Sequence, residues 1–255
     1  MSKLGEKIKE IRINEGLSQE AFARELGYTS KSTINKIEKG INEISYDKLM
    51  LLIDKYNLKL DQIFEINSNN IALPKNVNSN LYISFSARSN GNSESIIKYM
   101  MKDNDEFISF KDLFINSCSK CNYECMNANK CKYRYDDIYN LLDISLKYNK
   151  IIFVVPMYSG NPSSIYFILM ERMQDYFSDN EINYPTFISK LHIIGIYGSN
   201  EETPFFIPLI SGILDDFNKC LPIQRHKYEI KMNDIVIENK YIVNLIDLYK
   251  RKMGL

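Results

Sequence analysis

Apolar residues recur every three or four positions over the first 65 residues, a spacing typical of short amphipathic helices. Leu4, Ile8 and Ile11 mark the first of them. The breaks between the next helices carry serines suited to N-caps and glycines suited to helix ends, namely Ser18, Gly27, Ser30 and Gly40. Two more helices are predicted at 45–56 and 60–65. Residues 1–66 are therefore expected to form an all-α domain.

From residue 81 onward the pattern changes to short apolar runs that alternate with helical stretches. These runs predict strands at 81–86, 106–110, 150–156, 191–198 and near 223–230. Strands alternating with helices form a parallel sheet covered on both faces. We expect residues 81–255 to be an α/β doubly wound domain with a five-stranded sheet in the order 2-1-3-4-5. Residues 67–80, rich in Asn and containing Pro74, are predicted to be a linker.

Composition excludes several classes of function. The 255-residue chain has a formal net charge of zero, which argues against a strongly basic, nonspecific nucleic-acid binder, so any DNA contact must use a local patch. The charged N-terminus is unlike a signal peptide, and no apolar run reaches the length of a membrane span. We expect a cytoplasmic protein with no membrane role. The two histidines, His192 and His226, lie far apart, and no hydrolytic site is indicated.

The segment LSQEAFARELGYTSKSTINKIEKG, residues 17–40, resembles the phage-repressor (XRE-like) type of bacterial helix-turn-helix domain. The resemblance covers residues 4–65 and implies binding to double-stranded DNA. It places a phosphate contact on Gln19 and base reading on the start of the third helix, at Lys31, Ser32, Thr33, Asn35 and Lys36. A positive recognition helix on a neutral domain gives weak single-site binding, which a homodimer would make useful. The alternative is a helical interaction domain that does not bind DNA.

Four of the five cysteines fall close together, at Cys118, Cys121, Cys125 and Cys131. The spacing C-x2-C-x3-C-x5-C is close to the compact runs that hold iron-sulfur clusters. Thiols stay reduced in the cytoplasm, so clustered cysteines there serve metal or redox chemistry more often than disulfides. The alternative is a cysteine-rich loop that binds nothing.

Polar loops follow three of the predicted strands. SARSNGNSES, after the first strand, lacks the Gly-x-Gly-x-x-Gly fingerprint but offers hydroxyls, amides and one guanidinium just before a helix N-terminus. That combination can hold a phosphate monoester. PMYSGNPSS follows the third strand and YGSNEET the fourth. All three loops belong at the carboxyl ends of adjacent strands, where doubly wound folds bind their ligands.

Taken in order, ISFSARSNGNS, the cysteine run ending in CKYRYDD, and VVPMYSGNPSS resemble the NADPH-dependent FMN reductase group of the flavodoxin superfamily. The four-cysteine insert resembles its iron-sulfur flavoprotein branch, which implies a [4Fe-4S] cluster. The resemblance covers residues 81–220. It assigns the FMN phosphate to Ser86, Arg88, Asn90, Asn92 and Ser93. It assigns the isoalloxazine to Pro156, Met157, Tyr158, Ser159, Gly160 and Asn161, with Gly198, Ser199 and Asn200 approaching the ring.

Two residues of the first loop depart from the family pattern. Phe85 stands where the family usually has Gly, and Ala87 where it often has Pro. Both changes predict a more crowded or differently bent loop.

The whole chain thus predicts a DNA-binding transcriptional regulator whose second domain senses redox state through FMN and a [4Fe-4S] cluster. One alternative is an NAD(P)H-dependent flavin or quinone oxidoreductase, with NAD(P)H or another electron donor as its partner and an accessory DNA-binding domain. Another is a ligand-binding or scaffold module whose flavodoxin fold holds no cofactor.

Overall fold

The computed structural model describes residues 3–56, 58, 71–118, 131, 133–134, 136–200, 204–231 and 234–255. The chain divides into two compact units, Met1–Asn70 and Ile71–Leu255. Residues 71–80, predicted from the sequence to be linker, lie with the second unit. Ile71 is buried in its core, and Tyr148 donates a hydrogen bond to the Ala72 carbonyl, 2.6 Å away.

The described part of the first unit consists of the helices α1 (Lys3–Asn14), α2 (Gln19–Glu25), α3 (Lys31–Glu38) and α4 (Tyr46–Lys55). Their apolar faces meet in one core, whose fully buried members include Ile8, Phe22, Leu26, Ile34 and Leu52. The predicted helix at 60–65 lies outside the described residues.

The predicted helix boundaries of the first unit are confirmed by their local geometry. The Ser18 hydroxyl accepts the N–H of Ala21, and the Ser30 hydroxyl that of Ser32, each at 3.1 Å. Gly27 and Gly40 follow α2 and α3 with φ of 67° and 69°, a left-handed conformation that glycine adopts without steric cost. These caps fix where α3, the expected recognition helix, begins and ends.

The second unit is built on a parallel sheet. Its described strands are β1 (Leu81–Ser84), β2 (Glu106–Ser109), β3 (Ile151–Tyr158), β4 (Asn161–Pro162), β5 (Leu191–Tyr197) and β6 (Cys220–Gln224). The parallel strands lie in the order β2-β1-β3-β5-β6, and the short β4 pairs antiparallel with the end of β3. In chain order this is the predicted 2-1-3-4-5 topology of a flavodoxin-like fold. The last strand begins at Cys220, earlier than the predicted 223, and includes Pro222, which an edge strand tolerates.

Helices cover both faces of this sheet, as predicted. They are α5 (Asn92–Met100), α6 (Asp137–Ser145), α7 (Ser164–Asp179), α8 (Asn183–Lys190), α9 (Phe206–Ser211) and α10 (Lys240–Met253). α5 and α10 share one apolar cluster, and α6 to α9 share the other. β3 serves both: Ile151 and Phe153 face one cluster and Ile152 faces the other, so the strand reads as a continuous apolar run.

Gly195 lets one of the covering helices approach the sheet closely. A Cβ at this position of β5 would lie 2.5 Å from Cδ1 of Ile210 and 3.0 Å from Cε1 of Phe206, both on α9. No side chain fits that gap, so α9 packs directly on the strand backbone. None of the helices within the described ranges is long and apolar enough to cross a membrane.

Candidate functional site

A cavity of about 450 Å³ lies at the carboxyl ends of β1, β3 and β5. The predicted polar loops meet there because parallel strands end at the same edge of a sheet. Its described lining residues are Ser86, Arg88, Asn90, Gly91, Asn92, Ser93, Ser95, Pro156, Met157, Tyr158, Ser159, Ile196, Tyr197, Gly198, Arg225, Asp234 and Ile235.

The loop after β1 is shaped by its own polar side chains. The Ser86 hydroxyl accepts the N–H of Arg88 at 3.1 Å and donates to the carbonyl of the same residue at 3.0 Å. Asn90 has a φ of 54°, a left-handed conformation that Asn tolerates better than most residues. Its N–H donates to the buried Glu94 carboxylate at 2.9 Å, and α5 begins two residues later. The N-terminus of α5 is thereby directed at the cavity, where its dipole favours a negative group.

The loop after β3 is a tight reversal. β3 extends past its parallel neighbours, and Met157 and Tyr158 pair antiparallel with β4. The turn is made by Ser159 and Gly160, with φ of 49° and 84°. A serine in this left-handed region stores backbone strain of about 1 to 3 kcal/mol, which is more common at functional sites than elsewhere. The reversal holds Tyr158 at the cavity, where the Arg88 guanidinium lies 5.8 Å from its ring centre.

Phe85, one of the two departures from the family pattern, is not among the described lining of the cavity. Its side chain is fully buried and packs below the loop against Phe110, Phe153 and Tyr166, with ring centres 4.9–5.4 Å apart. The Phe85 carbonyl also accepts a hydrogen bond of 2.7 Å from the Ser163 hydroxyl. This bond ties the loop after β1 to the start of α7.

The structure brings most of the predicted cofactor residues together at this cavity. Those among its described lining are Ser86, Arg88, Asn90, Asn92, Ser93, Pro156, Met157, Tyr158, Ser159 and Gly198. Gly160, Asn161, Ser199 and Asn200 are not part of that lining. Gly160 and Asn161 sit at the exposed tip of the β3–β4 turn, and the Ser199 carbonyl accepts a hydrogen bond of 3.0 Å from Gln224.

The side chain of Asn92, which is predicted to hold the FMN phosphate, is hydrogen-bonded to the segment before α10. The Asn92 amide accepts the N–H of Val236 at 2.9 Å and donates to the Asp234 carbonyl at 3.2 Å. These bonds fold the segment before α10 back over the cavity. The same bonds place Asp234 and Ile235 at the cavity. The sequence gives no sign of this placement, because it depends on contacts between residues more than 140 positions apart.

The two stems of the cysteine insert are held together by a buried ion pair. Arg172 of α7 and Asp136 are both buried, and Nη1 of Arg172 lies 2.7 Å from Oδ2 of Asp136. Arg172 also donates to the carbonyl of Asn116 before the insert and to that of Tyr133 after it, at 2.9 and 3.1 Å. Asp136 accepts the Asn116 N–H at 2.8 Å and caps α6 by accepting the N–H of Ile138. One arginine thus fixes both ends of the insert.

Cys118 is exposed and Cys131 is buried, whereas Cys121 and Cys125 lie outside the described residues. Burial raises the pKa of the Cys131 thiol to about 12, although the Tyr133 N–H and the charge of Arg172 act in the opposite direction. A metal would therefore have to displace a proton at this position. Within the described ranges, no group of three or more His, Cys, Asp and Glu side chains is arranged to hold a metal ion.

In the first unit, α3 presents the expected recognition residues to solvent. Lys31, Ser32 and Lys36 are exposed, and Thr33 and Asn35 are half-buried. The Gln19 side chain donates one hydrogen bond, of 2.8 Å, to the buried Glu38 carboxylate. Arg12 also binds Glu38, at 2.6 Å. The Gln19 amide therefore supports the contact between α2 and α3.

One family model and several solved structures match parts of this chain. Residues 8–63 match the family model described as Helix-turn-helix. None of the curated proteins matches the chain. Among solved structures, the restriction-modification controller protein C.AhdI from Aeromonas hydrophila is 27% identical, over 24% of this chain and 92% of that one, with a TM-score of 0.23.

Two further solved structures align with the second unit. A flavone reductase is 16% identical over 68% of this chain, with a TM-score of 0.46, and the chain spans 60% of its length. An FMN-dependent NADH-azoreductase from Bacillus anthracis, in complex with FMN, is 12% identical over 68% of this chain and 98% of its own, with a TM-score of 0.45. At these values the likenesses carry no argument about function.

The ion pair of the insert stems generates a stability prediction. Asp136→Asn keeps a helix cap but leaves the Arg172 charge buried and unpaired, so we expect it to lower the free energy of unfolding of the second unit by about 3 to 5 kcal/mol. Asp215→Asn is the matched control, because the exposed Asp215–Lys219 pair contributes about 1 kcal/mol or less. Urea unfolding followed by circular dichroism measures both.

A double variant separates the charge effect from local damage. Asp136→Asn with Arg172→Leu removes both charges and should recover part of the lost stability. Equal unfolding midpoints for Asp136→Asn and wild-type protein would contradict a stabilising role for the pair.

Proposed function

We propose that this protein is a transcriptional regulator that binds double-stranded DNA through its first unit and senses redox state through FMN in its second. The observation that carries the proposal is the cavity at the ends of β1, β3 and β5, on a chain that also has a helix-turn-helix domain. In a sheet of this strand order the ligand position lies where the strand order reverses, next to β1 and β3.

The chemistry of the cavity supports FMN. One part offers short polar side chains and the N-terminus of α5, which suit a phosphate. Another part offers Met157, Tyr158 and Ile196, which suit an aromatic ring system. Bound FMN would supply the transfer of one or two electrons, and the residues of the chain would hold and orient it.

The DNA contact is proposed to use α3 in the major groove. Lys31 and Lys36 lie on its exposed face, and Ser32, Thr33 and Asn35 lie beside them. A single unit of this size makes few phosphate contacts. Useful affinity requires two copies, so we propose that the regulator acts as a homodimer.

We also propose that Cys118, Cys121, Cys125 and Cys131 hold a [4Fe-4S] cluster. The support is the all-thiolate donor set and the fixed stems, since Arg172 and Asp136 hold the chain together on both sides of the insert. The Arg172 charge, close to Cys131, would also offset part of the negative charge of thiolate ligands.

The flavin site is tested by charge reversal in the first loop. Arg88 is exposed and lines the cavity, so Arg88→Glu should leave the fold intact. A carboxylate beside the FMN phosphate repels it, and we expect the Kd for FMN to rise about tenfold to a hundredfold in fluorescence titrations of the apoprotein. The control is Lys98→Glu, which reverses an exposed charge further along α5 and outside the cavity lining. Unchanged FMN affinity in Arg88→Glu would show that this loop does not hold the phosphate.

The DNA surface is tested by Lys36→Glu. This change reverses a charge on the exposed face of α3 and should weaken binding about tenfold to a hundredfold at fixed salt, without altering flavin absorbance. The probe is a duplex selected from random sequences by wild-type protein. Lys9→Glu makes the same reversal on the exposed face of α1 and should bind as wild type. If both variants bind equally well, α3 is not the recognition element.

A further inference from the structure

Arg225 lines the cavity, and two nitrogen atoms of its guanidinium have no hydrogen-bond partner in the described structure. It follows β6, and its backbone N–H donates to the Tyr197 carbonyl at 2.8 Å, which fixes its position beside the end of β5. Within the part of the chain that the structure describes, Nε and Nη2 of Arg225 are buried and have no hydrogen-bond partner. Buried donors of a charged group are rarely left unpaired, because the lost hydration costs several kcal/mol.

The geometry of the guanidinium identifies the kind of partner. Nε–H and Nη2–H are the two donors that point in parallel from one edge of the group. This edge matches two oxygens of the same oxyanion in a side-on, two-bond contact. A single carbonyl oxygen can accept from both donors only through bent bonds, whereas an oxyanion offers each N–H its own oxygen.

The surroundings of Arg225 compensate its charge only in part. Asp234 lines the same cavity, and its carboxylate accepts the N–H of Lys231 at 2.8 Å. Burial lowers the pKa of Arg225, and the nearby Asp234 acts in the opposite direction. The other charged residue of the described lining is Arg88, so the described lining carries two positive side chains and one negative side chain.

We propose that Arg225 is a phosphate-binding residue of this cavity, holding two phosphoryl oxygens through Nε and Nη2. This proposal rests on the proposed function, because it treats the cavity as the flavin site. The short hydroxyl and amide side chains and the start of α5 at the same cavity favour phosphate over a carboxylate. The phosphate belongs either to FMN itself or to a second phosphorylated ligand that binds beside the flavin.

The test compares Arg225→Met and Arg225→Lys with wild-type full-length apoprotein. Lys227→Met is the matched control, since it removes one exposed positive charge two residues away and outside the cavity lining. FMN, riboflavin and inorganic phosphate are titrated calorimetrically at one ionic strength. Riboflavin lacks the phosphate, so the ratio of its Kd to that of FMN isolates the phosphate contact.

If Arg225 holds the phosphate of FMN, Arg225→Met weakens FMN binding about tenfold to a hundredfold and leaves riboflavin binding unchanged. The affinity of Arg225→Lys for FMN lies between those of wild type and Arg225→Met, because an ammonium keeps the positive charge but not the two parallel donors. If the phosphate belongs to a second ligand, FMN and riboflavin bind as in wild type, while inorganic phosphate binds FMN-loaded wild-type protein and not Arg225→Met. Unchanged binding of FMN and of inorganic phosphate in Arg225→Met overturns the proposal.

A stability measurement excludes a merely structural role. Arg225 is half-buried, and Arg225→Met removes its two buried, unpaired N–H donors, so the melting temperature of the ligand-free protein should not fall. Saturating phosphate should stabilise Arg225→Met less than wild type. A lower melting temperature of ligand-free Arg225→Met would overturn the proposal. Failure of wild-type protein to bind either flavin would instead contradict the proposed function, and the inorganic phosphate titration would still test Arg225.

Discussion

The placement of β3 between β1 and β5 is the constraint on which the candidate site depends. Hydrogen bonds to parallel neighbours on both sides fix its register, from Leu81↔Ile151 on one side to Pro156↔Ile196 on the other. Parallel registers bring the strand ends to one edge, so the loops after β1, β3 and β5 must meet. β3 then runs on beyond its neighbours, and the left-handed Ser159 and Gly160 return the chain. Below the loops, Phe85 fills the core, which leaves the space above it for a ligand.

The sequence was informative where local chemistry decides the structure. The Ser18 and Ser30 caps and the glycines after α2 and α3 were predicted because each acts within a few residues. The buried strands were predicted because strands covered on both faces carry continuous apolar runs. The edge strand β6 was misplaced by a few residues, since Pro222 interrupts its pattern.

The sequence was uninformative where distant segments meet. Arg225 and Asp234 reach the cavity only because β6 ends beside β5 and Asn92 binds the segment before α10. The burial of Arg172, by contrast, does have a signal in the sequence. Arg172 lies on the same face of α7 as the buried Leu169, Met173 and Tyr176, and a charged residue within an apolar stripe indicates a buried partner. No pattern in the sequence indicates the hydrogen bond between the Gln19 side chain and Glu38.

A regulator needs more than two binding sites on one chain, because the state of one site must change the affinity of the other. A useful switch requires a coupling free energy of about 1 to 3 kcal/mol, and this coupling has to arise from a difference between the two redox states. We propose that this difference arises at the cysteine insert, since Arg172 of α7 binds Asn116 and Tyr133 in its two stems. α7 begins just after β4, and Ser163 at its start donates a hydrogen bond to the Phe85 carbonyl, so α7 connects the insert to the loops at the cavity.

The most direct measurement is an anaerobic titration of the selected duplex with oxidised and with reduced protein at one salt concentration. The account predicts that the two redox states differ in Kd by about fivefold or more, and that Cys121→Ser keeps its fold and its FMN but loses this difference. Equal DNA affinity of the two states in wild-type protein would contradict redox regulation. An NAD(P)H-dependent oxidoreductase would then be the better account of the second unit.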